Sequence, residues 1–171
     1  VLRLVEVAEP TLDESIGEIQ RLVDSLATQW DLHDLAVAND QVADVQRALA
    51  AGNRTVTVAI RDGRQVVAIW PGLRDRALGI AVDVGSTTIA GHLCDLATGS
   101  VLATAGTMNP QIRFGEDLMS RISYVMMNPG SEVELTDAVR SALDDLVGNL
   151  VGQADATRDE VLELVLVGNP V

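Results

Sequence analysis

Residues Gly79 to Leu96, GIAVDVGSTTIAGHLCDL, restrict what this chain can fold into more than any other stretch. A short apolar run, Ile80-Ala81-Val82, is interrupted by Asp83, resumes at Val84 and gives way to Gly85, Ser86, Thr87 and Thr88 before apolar residues return at Ile89. Two strand-like segments bracketing a Gly/Ser/Thr turn predict a tight β-hairpin. Gly85 lets backbone approach a ligand closely, and neighbouring N–H groups and three hydroxyls can converge on an anion. Asp83, expected at the end of a buried strand, is poorly suited to packing and well suited to holding a metal ion through water. A magnesium-bound nucleotide phosphate fits that combination. The competing reading is an ordinary hairpin with an aspartate–glycine turn. D-x-G alone is too common to decide between them; D-x-G-S-T-T between two apolar strands is more specific.

The other charges sharpen this reading. All 12 basic residues are arginine, and the sequence contains no lysine. Walker-type phosphate binding, the strand lysine of protein kinases and Schiff-base chemistry are therefore excluded together, leaving the hairpin loop as the phosphate-binding candidate. A formal net charge of −13 argues against binding nucleic acid or an anionic membrane and reads most simply as solubility. The single cysteine, Cys94, excludes a disulfide framework and a cysteine-ligated iron–sulfur cluster within this sequence. His92 and Cys94 form an H-x-C pair, but two ligands without a third do not make a zinc site. No segment approaches the roughly 20 apolar residues of a membrane span. With no signal peptide and Val1 as first residue, the chain reads as an internal fragment of a cytoplasmic protein.

In chain order, Val1–Ala8 reads as a strand or lead-in. Thr11-Leu12-Asp13-Glu14 has the form of a capping box, and Leu12, Ile16, Ile19, Val23, Leu26 and Trp30 follow as one helical apolar face. A shorter helix starting at Asn39 or Asp40 should bury Val42, Val45 and Leu49 and end at Gly52-Asn53. Val56, Val58 and Ile60 alternate with Thr55 and Thr57, and Arg61-Asp62-Gly63-Arg64 turns the chain into a return strand ending at Trp70. Residues 1–72 thus predict a small α+β module with no visible chemistry, and Arg74-Asp75-Arg76 a linker. A second module follows from residue 77. Hydrophobic residues make up 47% of the sequence and aromatic ones only 2%, so both cores must be aliphatic.

In the second module the hairpin strands lead through Ala97-Thr98-Gly99 into a third strand over residues 100–107. A helix is predicted over residues 114–127, with Met126-Met127 in its core and an Asp117–Arg121 ion pair one turn apart. Ser131 to Glu134 forms another candidate capping box, ahead of Leu135, Val139, Leu143, Leu146 and Leu150 on one face. Thr157 to Glu160 should cap a short turn before strand 162–167, whose apolar sequence suits burial on both faces. With no later strands in this sequence to cover them, its outer edge and faces should stay exposed and promote association. Between strand and helix lies Asn109-Pro110-Gln111-Ile112-Arg113-Phe114-Gly115-Glu116-Asp117. Asn109, Gln111, Arg113 and Asp117 present donors and acceptors in fixed geometry and are candidates for a ligand cleft, with Gly115 permitting a sharp helix entry. A structured loop with a surface Asp117–Arg121 pair is the plainer alternative.

The tracts GIAVDVGSTT, DLATGSVLAT and NPQIRFGEDLMSRI, spread over Gly79–Arg121, carry a family resemblance. DVGSTT resembles the first phosphate loop of the actin-like ATPase superfamily, and the wider stretch resembles reductive activators of corrinoid proteins, iron–sulfur ATPases that return inactive cobalamin cofactors to the reduced state. The implied fold is α/β: a small α+β middle domain over residues 1–72, then over residues 77–171 the truncated first part of an actin-like (ribonuclease H-like) ATPase domain. The implied cofactors are ATP and Mg²⁺, with Asp83 organising the metal through water and Gly85, Ser86, Thr87 and Thr88 contacting phosphates. A [2Fe–2S] centre is implied only in a domain preceding Val1. The implied partner is a corrinoid protein, a homodimer is compatible with the resemblance, and catalytic residues would lie beyond Val171. Two other readings stay open: a small-molecule or sugar kinase of the same superfamily, using the Asn109–Asp117 passage for its acceptor, and a non-catalytic scaffold domain.

Overall fold

The computed structural model describes residues 1–11 and 15–168. They form a mixed α and β architecture of two compact units, Val1–Ala77 and Leu78–Val171.

The first unit contains β1 (Leu2–Glu6), α1 (Glu18–Trp30), a 3₁₀ turn at Asn39–Gln41, α2 (Val42–Ala51), β2 (Thr55–Arg61) and β3 (Gln65–Pro71). Its three strands pair antiparallel in the order β1-β2-β3. Val5, Val56, Val58, Ile60 and Val66 from the sheet meet Leu22 and Leu26 of α1 and Val45 and Leu49 of α2 in one aliphatic core. The buried stripe of α1 matches the one read from the sequence only in part: Leu26 is fully buried and Val23 packs against the core. Ile16 precedes the helix and is exposed, whereas Leu22 is fully buried. With the first turn at Glu18, positions 19, 22 and 26 share a face at three- and four-residue spacing. The anticipated Thr11–Glu14 box falls on residues 12–14, outside the described residues.

The turn between β2 and β3 is as predicted. Asp62 and Gly63 have φ of 52° and 66°, and the Arg64 N–H reaches the Arg61 carbonyl at 3.0 Å, the two-residue geometry that suits strand twist. Thr57, read as strand surface, is instead buried: its hydroxyl donates to the Gly72 carbonyl at 2.6 Å and accepts from the Arg74 N–H at 2.9 Å. Arg54 ties the unit together. It donates to Glu18 at 2.8 and 2.9 Å, to the Val7 carbonyl at 3.1 Å and to the Ala8 carbonyl at 2.6 Å, joining the exit of β1, the first turn of α1 and the entry to β2.

The second unit contains β4 (Leu78–Val84), β5 (Thr88–Asp95), β6 (Val101–Met108), a 3₁₀ turn at Pro110–Phe114, α3 (Leu118–Met127), α4 (Glu132–Gln153), a 3₁₀ turn at Arg158–Glu160 and β7 (Val161–Gly168). The sheet order is β6-β5-β4-β7, antiparallel except for the parallel β4–β7 pair. Leu146 and Leu150 of α4 pack on Ile80, Val82, Ile89, Leu93 and Ala103. Gly91 makes room for them, since a Cβ there would lie 3.1 Å from a methyl of each leucine.

Two expectations change here. Ser131 does not cap α4: its backbone is already helical and its hydroxyl is buried without a hydrogen-bond partner, while Glu132 takes the Gly130 N–H at 3.0 Å. Helix α3 starts at Leu118, and Met126 and Met127 are about three-quarters exposed rather than core, because the helix rests mainly on the 3₁₀ turn before it. Strand β7 lies at the sheet edge with Leu164, Val165, Leu166 and Val167 all about half exposed, the uncovered apolar surface expected of it, and α4 packs mainly on β5 and β6. Half of the Thr157–Glu160 box forms: the Glu160 carboxylate accepts the Thr157 N–H at 2.8 Å, while the Glu160 N–H bonds the Thr157 carbonyl at 3.2 Å and not its hydroxyl. Residues 169–171, after this strand, lie outside the described residues. Among the described residues no helix is long and apolar enough to cross a membrane.

Candidate functional site

The predicted hairpin forms, with Val84 opposite Ile89 as its last pair. The loop closes through the Gly85 N–H, which donates to the Thr88 carbonyl at 2.9 Å. A Cβ on Gly85 would sit 2.8 Å from that same carbonyl oxygen, so the loop's own closure already requires glycine. Ser86, Thr87 and Thr88 are exposed. Asp83 is exposed too, not set in a buried strand as the sequence implied. The strand alternates, with Ile80 and Val82 facing α4 and Ala81 and Asp83 on the opposite face.

The Asn109–Asp117 passage meets this loop from beneath. Asn109 is only 2% exposed. Its backbone N–H donates to the Thr87 carbonyl at 2.8 Å and its side-chain amide to the Gly85 carbonyl at 2.9 Å. Its side-chain oxygen accepts the Gln111 N–H at 2.9 Å, starting the 3₁₀ turn. Gln111 in turn donates to the Leu135 carbonyl of α4 at 3.2 Å. Asp117 is the N-cap of α3, accepting the Ser120 N–H at 2.8 Å. That backbone hydrogen bond, with one from the Ser120 side chain, holds its carboxyl below the usual aspartate value. Arg113 points elsewhere: its guanidinium stacks 4.6 Å over the Phe114 ring and lines an open groove with Met108, Glu134, Asp137 and Asp145.

The residue that the sequence reading undervalued is Arg121. In place of the anticipated surface pair with Asp117, its side chain is buried and turned toward the loop. It donates to the Ser86 carbonyl, to the Gly115 carbonyl at 2.9 Å and to the Gln111 side-chain oxygen at 3.3 Å. All three acceptors are neutral. Asp117 spends an oxygen on its cap and acts on the guanidinium only across space. Gly115 makes the close approach feasible, since a Cβ there would lie 2.7 Å from the Arg121 backbone nitrogen. One signal was available: Arg121 is the lone charge in LMSRISYVMM, in a chain without lysine.

The carbonyls of Gly85, Ser86 and Thr87 are therefore all turned inward onto Asn109 and Arg121, and the loop presents hydroxyl side chains outward over a buried cation. A buried charge costs free energy unless an opposite charge meets it, so this arrangement favours an anion above the loop. Among the described residues no three His, Cys, Asp or Glu side chains gather to hold a resident metal. A lone exposed carboxylate does fit Mg²⁺ that arrives with phosphate and keeps most of its waters. Cys94 is half-buried, and His92 bonds the Thr104 hydroxyl at 2.9 Å. The chain does not fit an iron–sulfur centre of its own.

Comparison with known proteins adds the family. The RACo linker region matches residues 1–76 and the RACo middle region residues 78–171. The name "middle" thus attaches to the second unit, not to residues 1–72. The chain is 32% identical over 91 residues to the corrinoid activation enzyme RamQ of Eubacterium limosum, which covers 53% of this chain and 15% of that protein. It is also similar, with a TM-score of 0.75 and 33% identity, to the solved structure of a reductive activator for corrinoid, iron-sulfur protein, covering 99% of this chain and 27% of the other. It therefore spans about a quarter or less of the length of either relative. The chain belongs to the RACo family, with the family's linker region in its first unit and its middle region in its second.

Proposed function

We propose that this chain forms part of an ATP-dependent reductive activator of corrinoid proteins, and that its second unit supplies the first phosphate-contacting loop of an actin-like ATPase domain. The observation that carries the phosphate reading is the buried Arg121 guanidinium, held against the Ser86 carbonyl of the hydroxyl-bearing loop and bonded, among the described residues, to neutral oxygens. The corrinoid assignment draws on the activities named for the two similar proteins. In this reading Gly85, Ser86, Thr87 and Thr88 contact phosphate oxygens and Asp83 orders the water shell of Mg²⁺. ATP hydrolysis is coupled to an uphill electron transfer from a [2Fe–2S] centre carried elsewhere in the protein, since one cysteine cannot hold it here. The electron acceptor is the cobalt of a corrinoid protein partner.

The test is calorimetric titration of the full-length protein with ATP, with and without magnesium, comparing wild type with Asp83→Asn. That substitution preserves size and removes charge at an exposed position, so packing should not change. Wild type should bind Mg-ATP, and Asp83→Asn should weaken the magnesium-dependent part roughly tenfold, about 1.4 kcal/mol. The reading is falsified if aspartate and asparagine bind Mg-ATP equally well, or if neither binds.

A further inference from the structure

We infer that Asn109 and Arg121 are positioning residues that set the phosphate-binding conformation of the Gly85–Thr88 loop, with Arg121 also supplying the positive charge that lysine provides in other phosphate sites. The proposal deepens the phosphate reading and rests on it. It assigns a role to the passage from Asn109 to Arg121, which the sequence marks without explaining.

The passage works as one brace. Asn109 anchors both ends of the loop, through its side chain to the Gly85 carbonyl and through its backbone to the Thr87 carbonyl. The 3₁₀ turn begun by Asn109 carries Gln111, whose side-chain oxygen accepts from Arg121 and whose amide is fixed to α4 at Leu135. Gly115 then lets the chain double back closely, and the Asp117 cap sets where α3 begins. One turn later this places Arg121 under the Ser86 carbonyl. Arg121 is the one buried residue of α3 among those described, so the helix is attached to its unit chiefly through the residue that holds the loop.

The physical consequence is preorganisation. Three consecutive carbonyl oxygens facing an incoming phosphate would repel it; drawn inward by Asn109 and Arg121, they leave that side of the loop to hydroxyl donors. A planar guanidinium spreads its donors over three nitrogens in a rigid fork and so reaches three separated acceptors, whereas an ammonium's three donors radiate from a single atom. Arg121→Lys should therefore keep the charge and lose the bracing, while Arg121→Met should lose both. An anion bound above the loop should in turn tighten the attachment of α3, because linkage between two binding events is reciprocal.

Two readouts on the full-length protein test this. The first is amide hydrogen exchange across Gly85–Thr88 without nucleotide. Arg121→Met should speed it at least tenfold and Arg121→Lys by less, with the β2–β3 hairpin unchanged as an internal control. The second is Mg-ATP titration at several ionic strengths. Arg121→Met should raise Kd at least tenfold and flatten its salt dependence, whereas Arg121→Lys should raise Kd while retaining that dependence, which loss of packing alone would not do. If Arg121→Met does not fold, Arg121→Lys decides by itself, and wild-type exchange with wild-type affinity would overturn the proposal. Unchanged loop exchange in both variants would overturn it too, as would faster exchange with unaltered affinity. Wild-type protein that fails to bind Mg-ATP would sink the phosphate reading beneath it, while the exchange measurement would still decide whether the brace exists.

Discussion

Leu150→Ala is expected to lower the opening free energy of the second unit's sheet by about 3–4 kcal/mol. Leu150 has no exposed surface, and its side chain lies over Gly91 at the centre of β5, next to Leu146. Truncation removes three buried carbons and leaves a void that the surroundings cannot readily fill: the sheet below is fixed by hydrogen bonds, and Gly91 has no side chain to move in. The cost is therefore the transfer term plus a cavity term. Native-state hydrogen exchange of the β4 and β5 amides measures it locally, without requiring the whole protein to unfold in one step. Met119→Ala, on an α3 residue that is two-thirds exposed, should stay within about 0.5 kcal/mol. A loss below about 1 kcal/mol for Leu150→Ala would mean that α4 does not close the core of this unit.

The second large effect belongs to Arg54. Arg54→Met should destabilise the first unit by about 2–4 kcal/mol, because it removes the bonds to Glu18, Val7 and Ala8 together and leaves a largely covered carboxylate without its cation. Tryptophan fluorescence can follow this unit, since Trp30 and Trp70 both lie within it. The same pair predicts a pH dependence. The Arg54 hydrogen bond, aided by the charges of Arg54 and Arg21, holds the Glu18 carboxyl below its ordinary value of 4.5, and that outweighs burial, which acts the other way. The folded state thus binds the proton less readily than the unfolded state. The stabilisation is complete above about pH 4.5, the ordinary value of the carboxyl, and is lost as pH falls through the lowered value. Arg54→Met should remove that part of the acid sensitivity. A wild-type and variant difference that is constant from pH 7 to pH 3 would contradict the ion pair.

How far the sequence could be read depended on whether its signals were local. The type I′ turn at Asp62-Gly63, the strands on either side of Gly85 and the Glu160 bond back to Thr157 are specified by residues within a few positions of one another, and each forms in the structure. The α1 stripe was right at Val23 and Leu26 but began too early, because Ile16 lies ahead of the first turn and Gly17, the residue before the helix, offers no side-chain cap to mark its start. Strand β7 has the composition of a doubly covered strand, yet α4 packs mainly on β5 and β6, a placement that periodicity does not encode. The candidate site was legible in part. DVGSTT announced a loop bearing hydroxyls. The role of Arg121 depends on a contact with Ser86, 35 residues away, and an aspartate four residues before an arginine on a helix points first to an ordinary ion pair. Similarly, the polar side chains of Asn109 and Gln111 looked like ligand donors because nothing in the local sequence reveals that backbone carbonyls of another segment accept them.

The central claim is that the Gly85–Thr88 loop contacts phosphate, and backbone amide chemical shifts of the full-length protein during titration with Mg-ATP test it most directly. The account predicts that the largest changes fall on Gly85, Ser86, Thr87 and Thr88, with a secondary response at Asn109 and Arg121. The Ala97–Gly99 turn at the other end of the same hairpin should stay unmoved. Saturable Mg-ATP binding that leaves the Gly85–Thr88 amides in place would contradict the account and make DVGSTT a hairpin turn that only happens to carry hydroxyls.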